Sequence, residues 1–198
     1  MEYAEGLPRR VVFVRREYLV LVLLVVSVSL NVALAHKLRQ VGPTRGLAAE
    51  PPLQPGTAVP PFGAVDLKGQ AQLVVYGEVS RPTVLYIFTP SCSWCARNLD
   101  NFRELTSRRG TQYRFIGVSL SKDGLQEYVS SQGLNIPVVH GLSDETVKKY
   151  KLGGTPQTIV VSPDGQLMKD WVGAFVGPQK SEIESFFHVS LPGIRPSS

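Results

Sequence analysis

Cysteine is scarce in this chain: among 198 residues there are two, Cys92 and Cys95, together with three histidines, His36, His140 and His188. That scarcity excludes two classes of protein. A disulfide scaffold needs bridges that close long loops, and a bridge spanning two intervening residues closes almost nothing. A structural zinc site takes four ligands, commonly a second Cys pair or a His pair, and none of the histidines stands at ligand spacing from the cysteines. Neither a metal nor a resident cofactor is expected. A dense basic block is missing too. The formal charge is +5, from 21 Lys and Arg against 16 Asp and Glu, and the basic residues are dispersed. Binding a phosphate backbone needs clustered charge, so nucleic acid is not an expected partner. No internal repeat is visible.

The N-terminal third is unlike the rest. Tyr18 to Ala35 carries no charge, and at helical rise such a run spans roughly 27 Å, close to a hydrocarbon core. Arg15 and Arg16 stop it on one side, His36, Lys37 and Arg39 on the other. Ala33-Leu34-Ala35 also fits the small-x-small pattern of a cleaved signal. The anchor is the favoured reading: residues 1–17 form a cytoplasmic tail marked by Arg9, Arg10, Arg15 and Arg16, 18–35 span the membrane as a signal anchor, and the remainder of the chain lies on the extracytoplasmic, periplasmic side. Residues 36–61 are expected to be a tether, since six of the 15 prolines fall between Val41 and Pro61 and such a segment favours extended conformations. Residues 62–190 make one domain of ordinary size, and 191–198 a disordered tail.

Within that domain, Val84 to Phe88 reads as a buried strand between Pro82 and Pro90. A helix is predicted from about Cys92 to Arg108, with Cys95, Leu99, Phe102 and Leu105 on one face. Tyr113 to Leu120 is a second strand, Lys122 to Gln132 a helix ended by Gly133, and Pro137 to His140 a short extended piece. Ser143 or Asp144 can cap a further helix closed by Lys148 and Lys149. Gln157–Ser162 and Gln166–Trp171 form a hairpin around Pro163-Asp164-Gly165. Pro178 to His188 is a last helix with Ile183, Phe186 and Phe187 inward. This order predicts an α/β sandwich with a mixed central sheet.

Two cysteines three apart at a helix start point to redox chemistry. Both sulfurs lie on the first turn and can bridge. Cys92 sits where unpaired backbone N–H groups and the positive end of the helix dipole stabilise a thiolate, the reactive form. Arg97, one turn on, adds positive charge. Cys95 is the less exposed sulfur and resolves the mixed disulfide. Trp94 is expected to shield the pair and join the docking surface. The second element is Gly153-Gly154-Thr155-Pro156, where a proline enters a strand containing Ile159-Val160-Val161. The local sequence does not decide between cis and trans there.

The strand, the Cys-x-x-Cys helix and the Gly-Thr-Pro before a hairpin resemble the thioredoxin superfamily. Pro137-Val138-Val139-His140, Tyr150, Gly154-Thr155-Pro156 and Pro163-Asp164-Gly165 resemble more closely its TlpA-like, membrane-anchored members. The resemblance covers roughly residues 60–188. It implies a thioredoxin-like three-layer sandwich and a thiol-disulfide oxidoreductase, acting as a reductant in cytochrome c maturation or general disulfide reduction. It implies protein thiols and disulfides as substrates and a transmembrane electron carrier that resets the pair; the chain is expected to be a monomer. Pro156 would be cis and pack beside the disulfide, and Thr155 would offer backbone hydrogen bonds to a substrate strand. Two positions depart from the pattern. An acid usually stands six residues before the first cysteine, where this chain has Tyr86. Cytochrome c maturation members often carry one six residues after it, where this chain has Asn98. Without either acid, proton transfer runs through water or another group.

Two other functions compete. Thr89-Pro90-Ser91-Cys92 resembles the Thr-x-x-Cys of peroxiredoxins, which predicts a thiol peroxidase. A copper-delivery or redox-sensing module would use both thiolates, since soft sulfur selects Cu(I), but no third ligand is evident.

Overall fold

The computed structural model describes residues 10–40 and 53–194. The chain divides into two units, Met1–Ala48 and Ala49–Ser198.

The first unit holds helix α1, Arg10–Gln40, 31 residues long. Its side chains are described from 18 to 33. There the large apolar residues, from Tyr18 through Leu24 to Val32, are exposed on all sides of the helix. Among the described residues no helix is long and apolar enough to cross a membrane; the described side chains stop short of the end of the expected 18–35 span, and those of the expected tail 1–17 lie outside them.

The second unit is built on a seven-stranded sheet in the order β2 (Ala71–Val74), β1 (Phe62–Asp66), β5 (Val138–His140), β4 (Arg114–Ser119), β3 (Thr83–Phe88), β6 (Gln157–Val161), β7 (Leu167–Val172). Strands β3 (Thr83–Phe88), β4 (Arg114–Ser119) and β5 (Val138–His140) run parallel. β6 (Gln157–Val161) and β7 (Leu167–Val172) form the antiparallel hairpin around Pro163-Asp164-Gly165. β3 is buried along its whole length, as a central strand covered on both faces must be. Its alternate residues serve two cores. Val84, Tyr86 and Phe88 pack with α2 (Ser93–Arg109), α3 (Leu125–Ser131) and α5 (Gly177–Phe187). Leu85 and Ile87 pack with Tyr150 and Leu152, which come directly after α4 (Asp144–Lys149). The mixed sheet between layers is thus present.

Four details differ from expectation. β1 (Phe62–Asp66) and β2 (Ala71–Val74) form an additional hairpin. Asp66 organises its turn by accepting hydrogen bonds from the backbone N–H of Lys68 and Gln70, both at 2.9 Å, and Gly69 supplies the positive φ of 83°. The expected tether ends earlier than Pro61. Leu53 and Val59 are buried, and Gly56 and Val59 donate to the carbonyls of Leu167 and Gly165 at 2.8 and 2.9 Å. An extended, proline-rich segment fits along the open edge of β7, which is why it joins the fold instead of standing off it. The expected disordered tail is likewise packed as far as Gly193: Leu191 is buried, and its N–H donates to Glu184 at 2.7 Å. Finally, Phe186 is only part-buried. It lies edge-on to Trp171 at 5.4 Å, while Ile183 and Phe187 fill the core.

Candidate active site

The C-terminal end of β3 delivers the chain into α2. Cys92 is the N-cap of that helix, with extended backbone at φ −77° and ψ 108°. Its N–H donates to the Thr89 carbonyl at 3.1 Å, and its sulfur accepts the Cys95 N–H at 3.0 Å. A sulfur in the capping position satisfies one of the first-turn donors that a helix leaves open. It therefore sits in the positive field at the helix start. Cys92 and Cys95 are joined as a disulfide with their Cα atoms 5.2 Å apart. Cys92 is half-buried, and Cys95 is completely buried in the core beneath.

Trp94, between them, is 47% exposed, and the Arg97 guanidinium lies 4.4 Å from its ring centroid. This cation–π contact holds the indole against the helix. On the other side of Cys92 runs the segment into β6. The Thr155–Pro156 bond is cis, and the Thr155 carbonyl oxygen is 3.5 Å from Cys92 Sγ. Among the described residues the Thr155 backbone N–H has no hydrogen-bond partner. A groove of about 290 Å³ runs beside it, lined by Trp94, Thr155 and Pro156 together with Val172, Gly173, Ala174, Val176 and Gln179. The structure thus brings Cys92, Cys95, Trp94, Thr155 and Pro156 together at one end of the sheet, past the last residue of β3 and before the first of β6. Sequence reasoning missed the wall formed by Gly173 to Val176, which carries neither charge nor nucleophile to announce it. Among the described residues no three His, Cys, Asp or Glu side chains group as a metal site requires.

The model of the AhpC/TSA family matches residues 55–169, more than half of the chain. The chain belongs to the AhpC/TSA family. Over 133 residues it is 24% identical to a thiol-disulfide oxidoreductase, ResA, of Geobacillus kaustophilus, covering 65% of this chain and 74% of the relative. Among solved structures it is similar to a thiol:disulfide interchange protein, DsbE, of Chlorobium tepidum, with a TM-score of 0.58 at 14% identity over 69% of this chain and 96% of that one. StoA of Bacillus subtilis gives a TM-score of 0.51 at 20% identity over 64% and 98%. At these identities the solved structures show the fold, which is thioredoxin-like.

In this AhpC/TSA-family domain the two positions that depart from the TlpA-like pattern meet in the core that also holds Cys95. Tyr86 stacks on Phe102 at 4.0 Å, and its hydroxyl lies beside the Asn98 amide, each without a well-formed hydrogen bond to the other. Burial pushes the Tyr86 hydroxyl far above the ordinary tyrosine range, with the Asn98 amide opposing that shift and Tyr128 adding to it. Neither group can serve as a base near neutral pH. Asn98 is fully buried; its Oδ1 accepts the Phe175 N–H at 2.9 Å and the Asn101 Nδ2 at 3.0 Å.

Proposed function

We propose that this protein exchanges thiols for disulfides in other proteins, as a reductant held outside the cytoplasmic membrane by its N-terminal segment. One observation carries the reading: a half-exposed sulfur caps a helix, its partner three residues on is buried, and a groove with an unpaired backbone N–H opens beside it. The chemistry is balanced. With the pair reduced, the Cys92 thiolate attacks one sulfur of a target disulfide; a mixed disulfide forms and one target thiolate leaves. The Cys95 thiolate then attacks Cys92 Sγ, the second target thiolate leaves, and the Cys92–Cys95 bond returns. Two electrons have passed to the target, and a transmembrane electron carrier restores the dithiol.

The names of the curated relatives support the reaction class. The uncharged run Tyr18 to Ala35 in the sequence supports the anchor. Cytochrome c maturation or general disulfide reduction are the targets this reading assigns. A Cys95→Ala variant, expressed in its native compartment, is expected to retain its substrate as a mixed disulfide at Cys92, identifiable by mass spectrometry. A reduction potential near −270 mV supports a reductant; one near −120 mV makes the protein an oxidant instead. If no Cys92–Cys95 disulfide forms between those potentials, the reading fails.

A further inference from the structure

The outer wall of the groove hangs from the cysteine helix by buried amides. The wall, Gly173 to Val176, comes directly after β7 and has three sets of attachments. Gly173 N–H donates to the Pro156 carbonyl at 2.7 Å. Gln179 Nε2, on α5, donates to the carbonyls of Gly173 and Ala174, both at 3.2 Å. Phe175 N–H donates to Asn98 Oδ1 at 2.9 Å, and Asn101 Nδ2 approaches the Phe175 carbonyl at 3.5 Å. The first two tie the wall to Pro156, just before β6, and to α5. The third ties it to α2, the helix whose first turn holds both sulfurs.

Asn98 and Asn101 are both fully buried, and Asn101 Oδ1 is itself occupied by the Gly193 N–H at 2.7 Å. The orientation of the Asn98 amide is therefore set by two donors, Phe175 N–H and Asn101 Nδ2. Replacing its oxygen with an apolar group strands the Phe175 N–H in an apolar core, and a stranded buried donor forces the backbone that carries it to move. That backbone is the groove wall.

We propose that Asn98 is a positioning residue for the polypeptide substrate. It holds the Gly173–Val176 wall at a fixed distance from Cys92 and thereby governs how tightly an extended chain flanking the target disulfide is held. It acts through the wall: an amide does not titrate, so Asn98 leaves the proton chemistry of the sulfurs alone. This rests on the exchange reaction proposed above and adds a determinant of substrate binding to it.

The test compares two disulfides reduced by the full-length, pre-reduced chain. One is an oxidised peptide with apolar residues beside its cysteines; the other is 2-hydroxyethyl disulfide, which has no backbone to lie in the groove. For Asn98→Ala the peptide KM is expected to rise about tenfold, the equivalent of one lost buried hydrogen bond, with the maximal rate and the hydroxyethyl disulfide rate within about twofold of wild type. Asn98→Asp keeps an oxygen for the Phe175 N–H and is expected to bring the peptide KM back toward the wild-type value. The proposal is overturned if Asn98→Ala slows both disulfides in the same proportion, or leaves the peptide KM unchanged. Should Asn98→Ala fail to fold, Asn98→Gln decides: its longer amide displaces the wall, and an unaltered peptide KM overturns the proposal. A wild-type chain that reduces neither disulfide sinks the exchange reaction itself, and this inference with it.

Discussion

Two buried tyrosine sites lie on opposite faces of β3, and they differ in how their polar groups are satisfied. On the face away from α2, Tyr76 and Tyr150 share a hydrogen bond of 2.6 Å, and the Tyr150 hydroxyl also donates to the Pro60 carbonyl. Burial raises both hydroxyls, Tyr150 to about 12, so both stay neutral and act as a closed clasp on the N-terminal segment of the domain. On the α2 face the Tyr86 hydroxyl and Asn98 Nδ2 lie side by side and neither is satisfied. Buried polar groups are ordinarily paired, and the exceptions gather where structure serves chemistry. The Tyr76–Tyr150 site ties the N-terminal segment to the fold; the Tyr86–Asn98 site lies in the core that also holds Cys95.

Four measurements break or sharpen that contrast. The largest effect belongs to the sulfur itself: Cys92→Ala is expected to remove disulfide reduction by a factor of about a thousand or more, with the denaturant midpoint of the oxidised wild type as the stability reference. Residual exchange at the wild-type rate would move the reactive group elsewhere. Next is Tyr150→Phe, which leaves the Tyr76 hydroxyl and the Pro60 carbonyl without their partner. It should cost about 1–3 kcal/mol in urea unfolding and leave exchange unchanged. Tyr86→Phe removes a hydroxyl that has no partner to lose, so its stability change is expected to stay within about 0.5 kcal/mol of zero. Equal costs for the two tyrosine variants would erase the distinction between the faces.

The smallest effect concerns Asp170 on β7. Its carboxylate accepts from Gln157 Nε2 at 2.9 Å and from the Leu53 N–H at 3.0 Å, yet burial, the largest influence, holds its pKa above the usual aspartate value. The folded state therefore binds this proton more tightly than the unfolded chain does. The resulting stability is present at low pH and is lost as pH rises from the unfolded value, about 3.9, through the raised folded one. Between pH 4 and pH 7 the stability of wild type measured relative to Asp170→Asn is expected to fall, because the carboxylates held below their ordinary values act alike in both proteins. An equal slope in both would assign the pH dependence to another group.

Much of the fold is legible in the sequence because local signals agree with it. β3 is short, apolar and bounded by prolines; α2 repeats its buried residues at helical spacing; Pro163-Asp164-Gly165 makes the β6–β7 turn it promises. The β1–β2 hairpin is not legible, because three of the four β2 residues are exposed and its turn is organised by one aspartate. The extent of the folded domain at both ends escapes a local reading for a related reason. Prolines between Val41 and Pro61 do favour an extended chain, but only the open edge of β7 decides that the part from Leu53 onward lies along it. At the other end, Leu191 and Gly193 are held by Glu184 and Asn101, partners that no local pattern reveals.

The Cys92–Cys95 pair belongs to the sequence alone: a three-residue spacing at a helix start puts two sulfurs within bonding distance and one of them in the dipole's positive field, because both requirements are local. The groove belongs to tertiary structure. Thr155, Phe175 and Asn98 are far apart along the chain and meet only because α2 packs on the sheet that the β6–β7 hairpin completes. Their hydrogen bonds are long-range, and a long-range partner cannot be read from the residue that waits for it.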